Sequence, residues 1–184
     1  MGSNKLLQEW QGVPLLRWVV EAAMKSDARP VLVVTGNDAT PIEAALRGLD
    51  VRLVHNSKYR EGLSTSLRAG IHAVPESADG AIVLLGDMPE VDAALINRMI
   101  AAFSPADGRS VCVAAHDQKR GNPVLWARNF FPEIEALEGD EGAKRLFARH
   151  EDLICEIEAG SAVLRDIDTP EALAALRAAD PAPA

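Results

Sequence analysis

Four short runs of aliphatic and β-branched residues, Val31 to Val34, Val51 to Val54, Ala81 to Leu85 and Val111 to Ala115, are separated by stretches whose apolar residues recur every three or four positions. Near-continuous apolar strands need covering on both faces, and the amphipathic stretches between them supply it. The predicted fold class is therefore α/β: a doubly wound, three-layer Rossmann-like arrangement, mostly parallel at first with an antiparallel excursion in the second half. At 184 residues and 48% hydrophobic content, the chain fills one core, so a single domain over residues 1–179 is expected, with 180–184 (Asp-Pro-Ala-Pro-Ala) as a frayed tail. Aromatic residues make up only 4%, so the core rests on Ala, Val, Leu and Ile, and Trp10, Trp18 and Trp126 read as packing residues.

Pro14 sits where a first helical turn tolerates it, and Leu15, Leu16, Val19, Val20 and Ala23 mark one helix face after it. Leu63, Leu67, Ile71 and Val74 mark a second face. Leu95, Ile96, Met99, Ile100 and Phe103 mark a third, opened by Asp92 as N-cap. Leu153, Cys155 and Ile157 alternate with polar residues, and Val163 to Ile167 follows a turn at Gly160 and Ser161, which predicts a hairpin-like pair. Thr169 and Pro170 open a last helix reaching about Ala178.

Charge excludes several classes. Lys and Arg number 19 against 27 Asp and Glu, a net charge of -8 with no basic block, so neither nucleic acid nor an anionic membrane surface is expected as a partner. Cys112 and Cys155 stand far apart in sequence, each in an apolar stretch, and read as buried thiols in a reducing compartment. No apolar run reaches the roughly 18 residues of a membrane span, and no signal peptide is evident. A cytoplasmic protein is expected. His55, His72, His116 and His150 are scattered without a matching nucleophile, which disfavours a hydrolytic triad.

The chemistry-bearing segments lie where strands hand over to helices. In Leu84-Leu85-Gly86-Asp87-Met88-Pro89, a carboxylate follows a buried strand, at the end of the sheet where ligands gather. Asp87 is a candidate for holding Mg2+, or equally a turn cap. Asp166-Ile167-Asp168-Thr169-Pro170-Glu171 offers a second carboxylate at another strand end; Asp168 either shares the metal with Asp87 or caps the last helix, and Asp166 could be a solvated neighbour. Asn56 to Leu67, with Gly62, Ser64 and Ser66, opens a helix whose free N–H groups suit a base or phosphate, or is an ordinary capped helix start. Arg120-Gly121-Asn122-Pro123 and Gly139 to Arg145, which includes Lys144, are Gly-containing turns with cations beside them, able to bind an anionic substrate or simply to turn the chain.

Together these segments resemble the MobA-like NTP transferase family, in particular its molybdenum cofactor nucleotidyltransferases. Five blocks stand in the family's order: Met1 to Leu7, Glu61 to Leu67, Leu85 to Pro89, Arg120 to Val124 and Asp166 to Leu173. Gly139 to Arg145 is similar to the family's GDKGAR-type block, with Glu141 in place of Lys. The resemblance implies Mg2+-dependent transfer of a nucleotidyl group from an NTP, CTP rather than GTP, to the terminal phosphate of molybdopterin, with release of pyrophosphate. It also implies a molybdoenzyme or chaperone as partner. Lys5 and Asp87 would be the catalytic residues. Lys5, Gly62, Ser64, Ser66 and Asp87 would bind the nucleotide, Gly121, Asn122, Pro123 and Lys144 the acceptor, and Asp87 and Asp168 the Mg2+. Two other readings stand beside it: a catalytically silent nucleotide-binding or interaction module, and transfer to another phosphorylated metabolite.

One departure carries structural consequences. Family members open with a strand and a loop of the form LAAGxSxRMG, and this chain opens at the Met of that motif. The resemblance implies that the strand and most of the phosphate-cradling loop are absent here. That strand is interior in the family's sheet, between those read here as Val31 to Val34 and Ala81 to Leu85, so two unpaired strand edges are expected.

Overall fold

The computed structural model describes residues 4–179. Met1, Gly2 and Ser3 of the first block, and the tail 180–184, lie outside the described residues. After a three-residue 3-10 turn, Lys5–Leu7, a two-residue-per-strand hairpin forms from β1 (Glu9–Trp10) and β2 (Val13–Pro14). Its turn places Gln11 and Gly12 at φ 52° and 74°. Then come α1 (Leu15–Lys25), β3 (Leu32–Thr35), α2 (Ala39–Ala45), β4 (Arg52–His55), α3 (Leu63–His72), β5 (Gly80–Val83) and α4 (Ala93–Ala102). The chain continues through β6 (Val111–His116), β7 (Lys119–Ala127), α5 (Phe131–Glu135), β8 (Ile154–Glu158) and α6 (Pro170–Ala179).

Local signals account for the helices. The five apolar residues of α1 that set its predicted face, Leu15, Leu16, Val19, Val20 and Ala23, are its buried ones. Asp92 caps α4, its Oδ1 accepting from the Leu95 amide at 2.8 Å, and Thr169 Oγ1 accepts from the Ala172 amide at 3.1 Å at the start of α6. Pro14 stands one position earlier than expected, as the N-cap of α1 and the end of β2.

Four strands form one sheet in the order β5-β7-β6-β8. β7 runs antiparallel to β5 and β6, and β8 runs parallel to β6. Successive residues of β6 serve opposite cores, which is why the run reads as continuously apolar. Val111 and Val113 pack with Ile71, Trp126, Phe130 and Ile134 under α3 and α5. Cys112 and Ala114 pack with Ala23, Leu95, Ile96 and Met99 under α1 and α4. Trp126 is fully buried with its ring 5.5 Å from that of Phe147, and Trp10 lies 4.9 Å from Trp18, so the tryptophans pack.

Cys112 and Cys155 are direct register partners on β6 and β8. Both are free thiols; Cys112 is buried, whereas Cys155 is only half-buried. Burial, with the neighbouring Cys155 sulfur, pushes the Cys112 thiol up to about 12.

The predicted hairpin at the end of the chain does not form. β8 finds its partner in β6, and the chain then leaves the sheet through a 3-10 turn, Ser161–Leu164. That turn places Val163, 1% exposed, against β7, where it gains more burial than an edge strand beyond β8 would give it.

The strands β3 and β4 pair in parallel with each other and, among the described residues, with no other strand, Leu32 opposite Arg52 through Thr35 opposite His55. β3 and β5 are not hydrogen-bonded to one another. Between their facing edges lies a cleft of about 590 Å3, walled by β3, β5, the α1 residues Leu16 and Val20, and the α3 residues Leu63, Leu67 and Ile71. Leu63, at the start of α3 on the wall of this cleft, is 45% exposed, whereas Ile71 further along the same helix is buried in the main core. A version of the chain carrying an added N-terminal apolar strand of about five residues should fill the cleft and unfold at a higher urea concentration. An unchanged midpoint would show that the cleft is stable as it stands.

Candidate active site

The site begins with a short strand. β5 ends at Val83, two residues before the predicted end, so Asp87 sits in the loop beyond it. The Asp87 carbonyl accepts a hydrogen bond from the Ile167 amide at 2.9 Å. Ile167 is buried with Trp10, Leu15, Leu173 and Leu176, which anchors the segment between the 3-10 turn and α6. Ile167 is buried while Asp166 and Asp168 on either side of it are exposed, and both carboxylates lie toward Asp87.

The expected convergence of Asp87 and Asp168 is present, with Asp166 as a third member: carboxylate oxygens of all three lie within 4.8 Å of one another. Lys5 reaches the same place. Its Nζ donates to Asp87 Oδ2 at 2.6 Å and to Asp168 Oδ1. Burial works against the Lys5 ammonium, but the hydrogen bonds and charges of Asp168 and Asp87 outweigh it and hold its pKa above the usual value. The hydrogen bond from Lys5 keeps the Asp168 carboxyl below its usual range. Asp166 is shifted the other way, mainly by its hydrogen bond with Asp168 and then by burial.

Asp87 Oδ1 is buried and has no hydrogen-bond partner among the described residues. An unsatisfied buried carboxylate oxygen is costly. A set of three hard oxygen donors with one oxygen unclaimed suits a hard divalent cation such as Mg2+ or Mn2+.

Gly62, Ser64 and Ser66, expected from the sequence on the nucleotide side, lie at the start of α3, tied to Asn56 just beyond β4. The Asn56 side chain donates to Thr65 Oγ1 at 2.9 Å and to Ser66 Oγ at 3.0 Å. Ser64 is 1% exposed and its Oγ lacks a partner among the described residues, as does Thr35 Oγ1 on β3. The amino end of α3 is less open than its sequence suggests. Gly62, at φ 111°, lets the Gly139 carbonyl approach so closely that a Cβ would stand 2.2 Å from it. That carbonyl accepts from the Ser64 amide at 3.0 Å, and Asp140 Oδ1 from the Leu63 amide at 3.4 Å. Gly62 thus serves a loop contact, and two of the free donors expected for a phosphate are already used.

Lys144 is half-buried beside the Asp166 charge; burial lowers its pKa and Asp166 partly restores it. Gly121 is buried on β7, where a Cβ would come within 1.9 Å of the Val163 carbonyl oxygen; Pro123 is fully buried. Among the described residues no hydrogen bond joins Gly121, Asn122 or Pro123 to the carboxylate cluster, so the structure gives Gly121 a packing role. Sequence reasoning placed Asp166 at the margin and gave Asn56 and Asp140 no role. The i, i+2 spacing of Asp166 and Asp168 was the available signal for the first; the other two depend on contacts between distant loops. The histidines are dispersed, His72 pairing with Glu135, His150 with Glu133, and His116 with the Ala159 carbonyl. Among the described residues no helix is long and apolar enough to cross a membrane.

Convergent carboxylates and a lysine beyond a strand end suit a phosphorylated ligand held with a divalent cation. The sequence matches the MobA-like NTP transferase domain over residues 1–153, and the chain belongs to that family of nucleotidyltransferases. It is 27% identical over 184 residues to the purine catabolism protein PucB of Bacillus subtilis (strain 168), covering 93% of this chain and 86% of the relative. It is 23% identical over 172 residues to the molybdenum cofactor cytidylyltransferase of Escherichia coli (strain K12), covering 93% and 85%. The crystal structure of Rv0371C complexed with manganese, from Mycobacterium tuberculosis H37Rv, superposes with a TM-score of 0.78 at 25% identity, covering 95% of this chain and 92% of that one.

Gly121→Ala should destabilise the protein by about 1–3 kcal/mol, the usual cost of overpacking, because backbone cannot yield as a side-chain end can. Urea unfolding measures it, and a change below about 0.5 kcal/mol, the range of ordinary surface substitutions, would contradict the packing role.

Proposed function

We propose that this chain transfers a nucleotidyl group from CTP, in preference to GTP, to the terminal phosphate of molybdopterin, in the cytoplasm, with Mg2+ as the metal. The observation that carries this reading is the convergence of Asp87, Asp168 and Lys5 at the end of β5. The cytidylyltransferase relative supports the choice of nucleotide and acceptor. In the reaction, an oxygen of the acceptor phosphate attacks the α-phosphorus of the NTP in line, the bond from that phosphorus to the α–β bridging oxygen breaks, and pyrophosphate leaves.

Asp87 and Asp168 would hold the Mg2+, which neutralises charge developing on the phosphates. Lys5 neutralises the triphosphate and the departing pyrophosphate. Ser64 and Ser66, with Gly62 shaping the loop, line the base and ribose. Lys144 faces the acceptor phosphate, with Asn122 on the acceptor side, while Gly121 and Pro123, both buried, shape the strand that carries it. A dinucleotide product of this kind is consumed by a molybdoenzyme or its chaperone, the partner this reading implies. The alternatives are a silent nucleotide-binding module and transfer to another phosphorylated metabolite.

The test is pyrophosphate release from CTP or GTP with Mg2+ and molybdopterin, compared between the parent and Asp87→Asn. Turnover is expected with CTP above GTP, and the nearly isosteric variant should lose at least about two orders of magnitude because the charge holding the metal is gone. No turnover with either nucleotide despite binding favours the silent module; turnover only with a different phosphorylated acceptor favours the third reading.

A further inference from the structure

We propose that Lys5 is a built-in counter-cation for the carboxylate cluster, occupying the metal position while no ligand is bound and giving it up when a divalent cation arrives. The reading above enters only in where the displaced ammonium goes, which is the polyphosphate of the nucleotide.

Three carboxylates within 4.8 Å of one another repel strongly unless a cation stands among them. Lys5 provides that cation: its Nζ bridges Asp87 Oδ2 and Asp168 Oδ1, oxygens on the two residues best placed to ligate a metal. An ion bonded to both oxygens would stand where the ammonium stands, so the two cations exclude one another. The lysine is built for exchange. Its backbone is tied, because Asn4 Oδ1 accepts from the Leu6 amide at 3.0 Å and Asn4 Nδ2 donates to Asp38 Oδ2 at 3.3 Å. Its side chain is 45% exposed, so the flexible stem can swing the ammonium away.

Two consequences follow. A metal binding alone must strip Lys5 of both anionic partners, so it binds more weakly than the donor set would allow. A polyphosphate arriving with the metal offers Lys5 a replacement anion, so each ligand strengthens the other by the same factor. Asp87 Oδ1, which Lys5 leaves without a partner among the described residues, is a further hard oxygen open to a metal held at this carboxylate.

The experiment is calorimetric titration with Mn2+ alone, without nucleotide, of the parent, Lys5→Met, Lys5→Arg and Asp87→Asn, each checked for parental circular dichroism. Lys5→Met should bind Mn2+ roughly tenfold more tightly than the parent, the order expected when one competing unit charge is removed from a half-exposed site. Lys5→Arg keeps the charge and should bind no more tightly than the parent, and Asp87→Asn should bind more weakly. In metal-free buffer Lys5→Met should melt below the parent and gain more on Mn2+ addition. Equal or weaker Mn2+ binding by Lys5→Met, or no Mn2+ binding by any form, overturns the proposal. Tighter binding by Lys5→Met in a protein that transfers no nucleotide keeps this inference and removes the proposed reaction instead.

Discussion

The hydrogen bond from the Ile167 amide to the Asp87 carbonyl, 2.9 Å long, holds the site together. It joins two loops 80 residues apart in sequence. On one side stands the end of β5, fixed by pairing with β7 from Gly80 opposite Ala127 to Val83 opposite Val124. On the other stands a segment anchored by Val163 against β7 and by Ile167 in the small core with Trp10 and α6. With both loops fixed, the carboxylates of Asp87, Asp166 and Asp168 have little room to separate. Their mutual repulsion is then held by packing elsewhere, and Lys5 relieves it.

The same geometry explains why the chain abandons the sheet after β8. A hairpin partner for β8 would have carried Val163 to Ile167 along an exposed edge, with Asp166 and Asp168 far from β5. The 3-10 turn instead buries Val163 under the close approach that Gly121 permits, and that packing aims the aspartates. The open cleft between β3 and β5 borders this arrangement: Gly86, next to Asp87, lines it, as does Leu6, next to Lys5. The two halves of the sheet thus meet the site at its least supported side, with an unpaired strand edge on each.

Much of this was legible in the sequence. The apolar runs gave β3 to β6 within a residue or two, and the 3.6 periodicity gave α1 and α4 with their buried faces, because both signals come from local burial on a repeating backbone. The open edges of β3 and β5 were expected from the family resemblance. The strand-end argument holds for Asp87, which follows β5 at the crevice end of the sheet; Asp168 follows a 3-10 turn and not a strand, so its convergence was legible only from the family block it belongs to. What failed was non-local. No local signal says that β8 pairs with β6 and not with the residues after it. Nor does any local pattern reveal that the Gly139 carbonyl and Asp140 carboxylate cap α3, or that Gly121 exists for Val163. The position of Lys5 between two aspartates more than 80 residues away could be read from the sequence only as a tendency to seek phosphate, which is a different anion in the same place.

The central claim is that the carboxylates at the end of β5 hold a divalent metal against the phosphates of a nucleotide. Pulsed electron-nuclear double resonance on the protein with Mn2+ and CTP tests this most directly, since it reads phosphorus bound at the metal. The account predicts that the parent holds Mn2+ and CTP together, with phosphorus coupling in a spectrum distinct from that of the Mn2+–CTP complex free in solution, and that Asp87→Asn gives only the free-complex spectrum. A parent spectrum identical to that of the free complex, or a bound spectrum unchanged in Asp87→Asn, would contradict it.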